Sequence, residues 1–378
     1  MTNDAMKRAA TKTVAPTERT AREATRRQWL QASGAFGAAL MLGSRVAGAQ
    51  SLRPLKFGVG LKAMSATVIN AVIGEALGYN KAEGFTLAAQ ALGTNANVQI
   101  ATSRDDVDIG IGVPSFGLPL LAKGEWGPLL NYYQYTYPYK WDVVVSPGSS
   151  IKSYEDLKGK KIGVSTFGAT EYPVTRNVLT ALGLDVEADV KWIAVGSGVP
   201  AGVALKGGTI DALAYFDTGF GQIEASGIPL EFLPRPKSIP LIGGQFLMAR
   251  KETIDKDRKY VVGFGRSVAK ASRFILANPQ AGAKVFLGMY PETAPRGSSE
   301  ADAVKAIVQT ISRRIKLYVP PYEGAKMGSI NVKEFETEAK MTALSIPSFD
   351  AFYTNALIDE INDFDAAKIE ADARAYKV

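Results

Sequence analysis

Short apolar runs alternate with longer stretches of helical spacing from Leu55 onward. The pattern predicts a strand over Leu55–Gly60, a helix over Thr67–Leu77, a strand over Phe85–Leu92 and a helix over Asn95–Thr102. A further strand, Val107–Gly112, runs into Pro114-Ser115-Phe116-Gly117. The same order returns after the turn signal Pro147-Gly148. Strand Lys161–Val164, helix Tyr172–Leu182, strand Val190–Val195, helix Pro200–Lys206 and strand Ile210–Phe216 follow in turn. Each half ends on a matching phrase, Val107-Asp108-Ile109-Gly110 and Ile210-Asp211-Ala212-Leu213, whose aspartates are expected to hold turn geometry.

Alternation of this kind implies an α/β protein with two doubly wound parallel sheets. After Pro240 the pattern changes: Gly243–Ala249 reads as one more strand, and Asp255–Ala277, Ser298–Lys316, Asn331–Leu344 and Tyr353–Asp363 read as helices. A strand and helices after a completed second lobe imply that the chain returns to the first. Lobe I is then residues 50–141 with 241–378, lobe II residues 142–240, and two crossings form a hinge.

The first residues break this pattern. Residues 1–24 are polar and basic; Arg26-Arg27-Gln28-Trp29-Leu30 then precedes an uncharged run, Ala32–Gly43, and Ala47-Gly48-Ala49. Paired arginines, a short apolar core and a small-residue cleavage site are expected for a twin-arginine signal peptide spanning residues 1–49, removed on export. The charge picture changes with it. The whole chain carries +7, but residues 1–49 hold eight of its 44 Lys/Arg and three of its 37 Asp/Glu, so the remainder has 36 basic and 34 acidic residues, or +2. No basic stripe with interleaved aromatics is present, and no nucleic-acid partner is expected.

Chemistry is narrowed by what is missing. The chain has no Cys and no His. That removes disulfides, thiolate nucleophiles, most zinc sites and every Ser-His-Asp arrangement. Gly163-Val164-Ser165-Thr166-Phe167 lacks the second glycine of a nucleophile elbow, and Ser267-x-x-Lys270 has no accompanying motif. No enzyme activity, metal or cofactor is expected. A secreted pyrimidine-processing enzyme is the rival from another class, and a ligand-sensing receptor subunit is a second.

The strand-to-helix turns are the candidate binding elements. Ser65 and Thr67 follow the first strand, Asn95 the second, and Ser115 and Phe116 the third. In the second half the equivalent turns hold Thr166, Phe167, Thr170 and Glu171, then Ser197, then Asp217. Hydroxyls and free helix N–H groups at the carboxyl ends of strands suit a small polar solute. Glu171 and Asp217 would accept from ligand N–H groups, pair with a cation such as Arg176, or point away. The run Tyr132-Tyr133-Gln134-Tyr135-Thr136-Tyr137-Pro138-Tyr139-Lys140-Trp141 offers ring faces at the first crossing. The hydroxyl turns, the ring faces and the two carboxylates together favour a flat, partly polar solute over a bare inorganic anion. The lack of an arginine in the cleft turns weakens a sulfonate or nitrate reading.

Ser150-Ile151-Lys152-Ser153-Tyr154-Glu155-Asp156-Leu157-Lys158-Gly159-Lys160-Lys161-Ile162-Gly163-Val164 resembles the phrase that opens the second lobe of periplasmic solute-binding proteins. The closest group is the sulfonate/nitrate/taurine and thiamine-pyrimidine-precursor binding type, and Gly208-Thr209-Ile210-Asp211-Ala212 and Ala269–Pro279 fit it as well. The resemblance covers most of residues 52–290. It implies a type II-like periplasmic binding protein fold, and a monomer that captures a small organic solute for an inner-membrane ABC permease. The solute would be aromatic or pyrimidine-like; an aliphatic sulfonate or nitrate is the alternative.

Overall fold

A computed structural model describes residues 52–377; the expected leader and its cleavage site lie outside them. Helices of eight or more residues are numbered.

Two five-stranded sheets organise the chain. The first contains β1 (Arg53–Val59), β2 (Phe85–Ala91), β3 (Ile109–Gly112), β4 (Leu129–Thr136) and β10 (Gln245–Arg250), in the order β2-β1-β3-β10-β4. The second contains β5 (Trp141–Val145), β6 (Lys161–Val164), β7 (Lys191–Ala194), β8 (Ala212–Phe216) and β9 (Glu231–Phe232), in the order β7-β6-β8-β5-β9. The orders are equivalent position by position. This is the two-lobed fold expected from the pattern, with one correction: both sheets are mixed. β10 runs antiparallel to β3 and β4, and β5 antiparallel to β8 and β9. In each case the antiparallel strand is the one the chain delivers on crossing from the other sheet. It enters from the opposite end and must run against its neighbours.

The parallel strands lead into helices at their carboxyl ends. In the first sheet these are a short turn at Ala66–Val68, α1 (Asn95–Ser103) and α2 (Pro114–Ala122). In the second they are α3 (Glu171–Ala181), α4 (Val199–Lys206) and α5 (Asp217–Ala225). Asp108 accepts from the Lys56 N–H and Asp211 from the Lys161 N–H, each at 2.7 Å. The matching aspartates thus tie β3 to β1 in the first sheet and β8 to β6 in the second.

The expected helix Thr67–Leu77 is cut to a turn and Ile69–Val72. Gly74 is the reason for the close approach there: a Cβ on it would fall 2.1 Å from Ser267 Oγ. That serine lies on α6 (Arg258–Ala277), which packs Phe264, Val268 and Ile275 over the same core as Phe57 and Ile69. α7 (Pro279–Met289) and α10 (Ala366–Ala375) extend that layer. The far face of the first sheet is covered by Val98, Leu118, Phe335 and Phe352. Buried clusters around Val164 and Val178, and around Leu213 and Phe220, cover the two faces of the second sheet.

Tyr132–Thr136 of the tyrosine-rich run belong to strand β4, and Tyr137–Lys140 make the crossing to β5. Tyr132, Tyr133, Tyr135 and Tyr137 are all buried. The edge of β4 is closed by later chain, the N–H groups of Asn131, Gln134 and Tyr137 donating to the carbonyls of Phe352, Gly328 and Leu317.

Not all helices after β10 stay on the first sheet. α8 (Glu300–Ile311) packs against α5 of the second. Gly221 permits this, since a Cβ there would lie 2.5 Å from the Thr310 carbonyl oxygen. α9 (Val332–Met341) places Met341 beside Trp141, Val174 and Ile242. Among the described residues, no helix is long and apolar enough to cross a membrane.

Candidate functional site

A cavity of about 370 Å³ lies between the two sheets, at the carboxyl ends of their parallel strands. From the first sheet it is lined by Gly60, Ser65, Thr67, Gly93, Asn95, Tyr135 and Gln245; from the second, by Ser165, Thr166, Thr170, Glu171, Ser197 and Phe216. Lys140 and Trp141 line it from the first crossing. The volume falls in the ordinary range for small-molecule sites.

Apart from the exposed Lys62, the first-sheet wall is built from neutral groups. Ser65 caps the Ala66–Val68 turn, its Oγ accepting from the Thr67 N–H at 3.4 Å and donating to Thr67 Oγ1 at 3.1 Å. Gly60 ends β1 without a side chain because Asn95 occupies the space; a Cβ would sit 1.9 Å from Asn95 Oδ1. Two of these groups reach the second lobe: Asn95 Nδ2 donates to Thr170 Oγ1 at 2.7 Å, and Thr67 Oγ1 lies 2.9 Å from Thr218 Oγ1.

The second wall carries charge. Glu171, at the start of α3, is buried and its Oε1 accepts from the Ser165 N–H at 3.0 Å and from the Ser165 hydroxyl. Burial raises its pKa above the ordinary carboxylate value, although the Ser165 hydrogen bonds oppose this. Lys140 is 2% exposed and donates to Gln245 Oε1 at 2.8 Å. Its Nζ stands 4.3 Å from the Trp141 ring centroid and 5.7 Å from that of Phe216. Burial, with repulsion from Arg314, pushes this ammonium well below its ordinary pKa.

Seven of the residues expected from the turns line this cavity: Ser65, Thr67, Asn95, Thr166, Thr170, Glu171 and Ser197. Four do not. Asp217 is turned onto Arg314, whose Nε and Nη2 donate to its two oxygens at 2.6 Å each. Arg314 is 0% exposed and also donates to the Thr67 carbonyl at 2.9 Å, so it joins the two lobes. Burial alone would raise Asp217; the guanidinium overrides it and holds the carboxyl below the ordinary range. Ser115 donates to Glu338 Oε1 in a separate cavity, because α2 starts on the side of the sheet where α9 packs. Phe116 is half-buried beside it on α2. Phe167 is 52% exposed, held edge-on against Tyr172 outside the cavity.

Lys140 and Gln245 are not among the residues singled out by the sequence, whereas Trp141 falls in the aromatic run expected to offer ring faces. Lys140 had one local signal: it is the only charge in the aromatic run from Tyr132 to Trp141. A charge there must leave the core, find a partner or face a cavity.

Comparison with solved structures agrees with this architecture. A Bordetella bronchiseptica protein aligns with a TM-score of 0.62 at 23% identity, over 83% of this chain and 98% of that one. The periplasmic aliphatic sulphonate binding protein SsuA from Escherichia coli aligns with a TM-score of 0.57 at 15% identity, over 79% and 95%. The periplasmic nitrate-binding protein NrtA from Synechocystis gives 0.56 at 12% identity, over 86% and 99%. At these identities the likeness establishes the fold. No curated protein sequence matches the chain. The family model described as NMT1/THI5 like does match, over residues 65–282, more than half of the 378 residues, and the chain belongs to that family.

Proposed function

We propose that this protein is the solute-binding component of an ABC importer, holding a small organic solute between its lobes and presenting the closed form to an inner-membrane permease. The observation that carries the reading is a cavity formed jointly by equivalent strand-to-helix turns of the two lobes. Its walls hold hydrogen-bonding and aromatic groups from both lobes. Residues 50–141 with 241–378 are proposed to move as one lobe and 142–240 as the other, about the crossings at Lys140–Ser146 and Pro234–Ile242. The binding residues proposed are the seven turn residues on the cavity, with Lys140, Trp141, Phe216 and Gln245 added.

Trp141, Phe216 and Tyr135 favour a solute with a flat face, aromatic or pyrimidine-like. The sulphonate- and nitrate-binding neighbours favour an anion instead, and Lys140 supplies a cation that such a ligand needs. A thermal-shift screen of sulfonates, aromatic acids, aminopyrimidines and flavins against the mature protein tests the reading, because bound ligand raises the melting temperature by mass action. Stabilisation by one class, with compaction in small-angle scattering, is the expected result; no response to any class would count against it. The leader is proposed to direct export to the periplasm. Arg26→Lys with Arg27→Lys should leave uncleaved precursor in the cytoplasm, and normal delivery would remove the twin-arginine assignment.

A further inference from the structure

Lys140 is costly where it stands. Its ammonium is buried and has three N–H donors, of which Gln245 takes one. Among the described residues, no carboxylate lies within ion-pair distance of it. Asp217 is engaged on both oxygens by Arg314, and Glu171 holds Ser165. The Trp141 and Phe216 rings offset part of the missing solvation, but an aromatic face does not replace an oxygen acceptor. Lys140 is at the same time part of the lining of the cavity of about 370 Å³. Lys62, the other lysine on the cavity wall, is exposed and pays no such cost.

Glu171 constrains the same ligand from another direction. It is an acceptor on the cavity wall, so a bare anion would meet repulsion there, while a solute that brings an N–H would meet a partner.

We infer that Lys140 is the specificity-determining residue of the cavity, binding a carboxylate or sulfonate group on an aromatic solute that also offers an N–H to Glu171. The inference rests on the binding-protein reading and narrows it to one ligand class. The aromatic part lies against Trp141 and Phe216, next to the ammonium that those rings already flank.

The test is calorimetry on the mature chain with four probes on one ring: para-aminobenzoate, para-aminobenzenesulfonate, benzoate and aniline. At least one aminated acid should bind, with benzoate and aniline each at least about tenfold weaker. The preferred aminated acid identifies the acidic group as carboxylate or sulfonate. Lys140→Met should weaken that acid by about tenfold to a hundredfold and leave aniline unchanged. The unliganded variant should melt at or above the parent temperature, since an unpaired buried ammonium has been removed. Aniline binding as tightly as the acids, or Lys140→Met without effect on them, overturns the inference. So does a Lys140→Met protein that melts several degrees lower, which would make the residue structural. If none of the four binds, the assignment also fails. A neutral pyrimidine or flavin hit in the wider screen would then leave the binding-protein reading standing without it.

Discussion

Two buried cations stand close together in this protein and are treated in opposite ways. Arg314 is satisfied: Asp217 takes two of its donors and the Thr67 carbonyl a third. Lys140 keeps donors free beside a cavity, with Gln245 and two rings as its company. Buried charge is tolerated when it is paired and hydrogen-bonded and is otherwise a cost. The first arrangement therefore reads as structure, a joint between the lobes. The second is a cost that a bound ligand would remove. A carboxylate at the carboxyl end of a sheet strand looks like a binding group in both Glu171 and Asp217; the partner decides which one is.

The largest effect should come from breaking the satisfied site. Asp217→Ala leaves Arg314 buried without its counter-charge and should destabilise the protein by about 3–5 kcal/mol in urea titration. Replacing both partners with apolar residues should recover much of that loss. A loss below about 1 kcal/mol for Asp217→Ala would dissolve the distinction between the two sites.

A third buried group gives an intermediate effect. Glu338 accepts from Ser115 and from the Gly243 N–H in the second crossing, and burial pushes its carboxyl up to about 7. A folded-state pKa above the unfolded value means the folded state binds the proton more tightly. Its contribution is fully present below about pH 4.5 and is lost as pH rises through about 7. Asp142, raised by burial to about 6, titrates in the same direction, so the comparison must be made against a variant. Between pH 5 and 8 the parent should lose roughly 2–3 kcal/mol more stability than Glu338→Gln. Parallel pH profiles for the two proteins would show that Glu338 is ionised throughout.

Glu171→Gln should have the smallest effect on folding. The amide oxygen can still accept from Ser165, so stability should change by less than about 1 kcal/mol. Affinity for an N–H-bearing acid should nonetheless fall, because the acceptor has lost its charge. A large loss of stability with unchanged affinity would move Glu171 to the same class as Asp217.

The sequence by itself determined the alternation of strands and helices, the two-lobed plan and the turns that meet at the cleft. These follow from local periodicity and from where small, hydroxylic residues interrupt it, as at Ser65, Asn95 and Thr166. The tertiary structure decided the rest. Tyr132–Thr136 read as part of an aromatic crossing until β10, more than a hundred residues later, paired with them as β4. Asp217 read as a ligand group until Arg314, 97 residues on, closed over it. Lys140 acquired its meaning only when Gln245 and Phe216 were folded around it. In each case the energy of a buried polar or aromatic group depends on neighbours that arrive from distant chain. Local pattern cannot carry that information, because the same residue is a cost, a joint or a binding group according to what meets it.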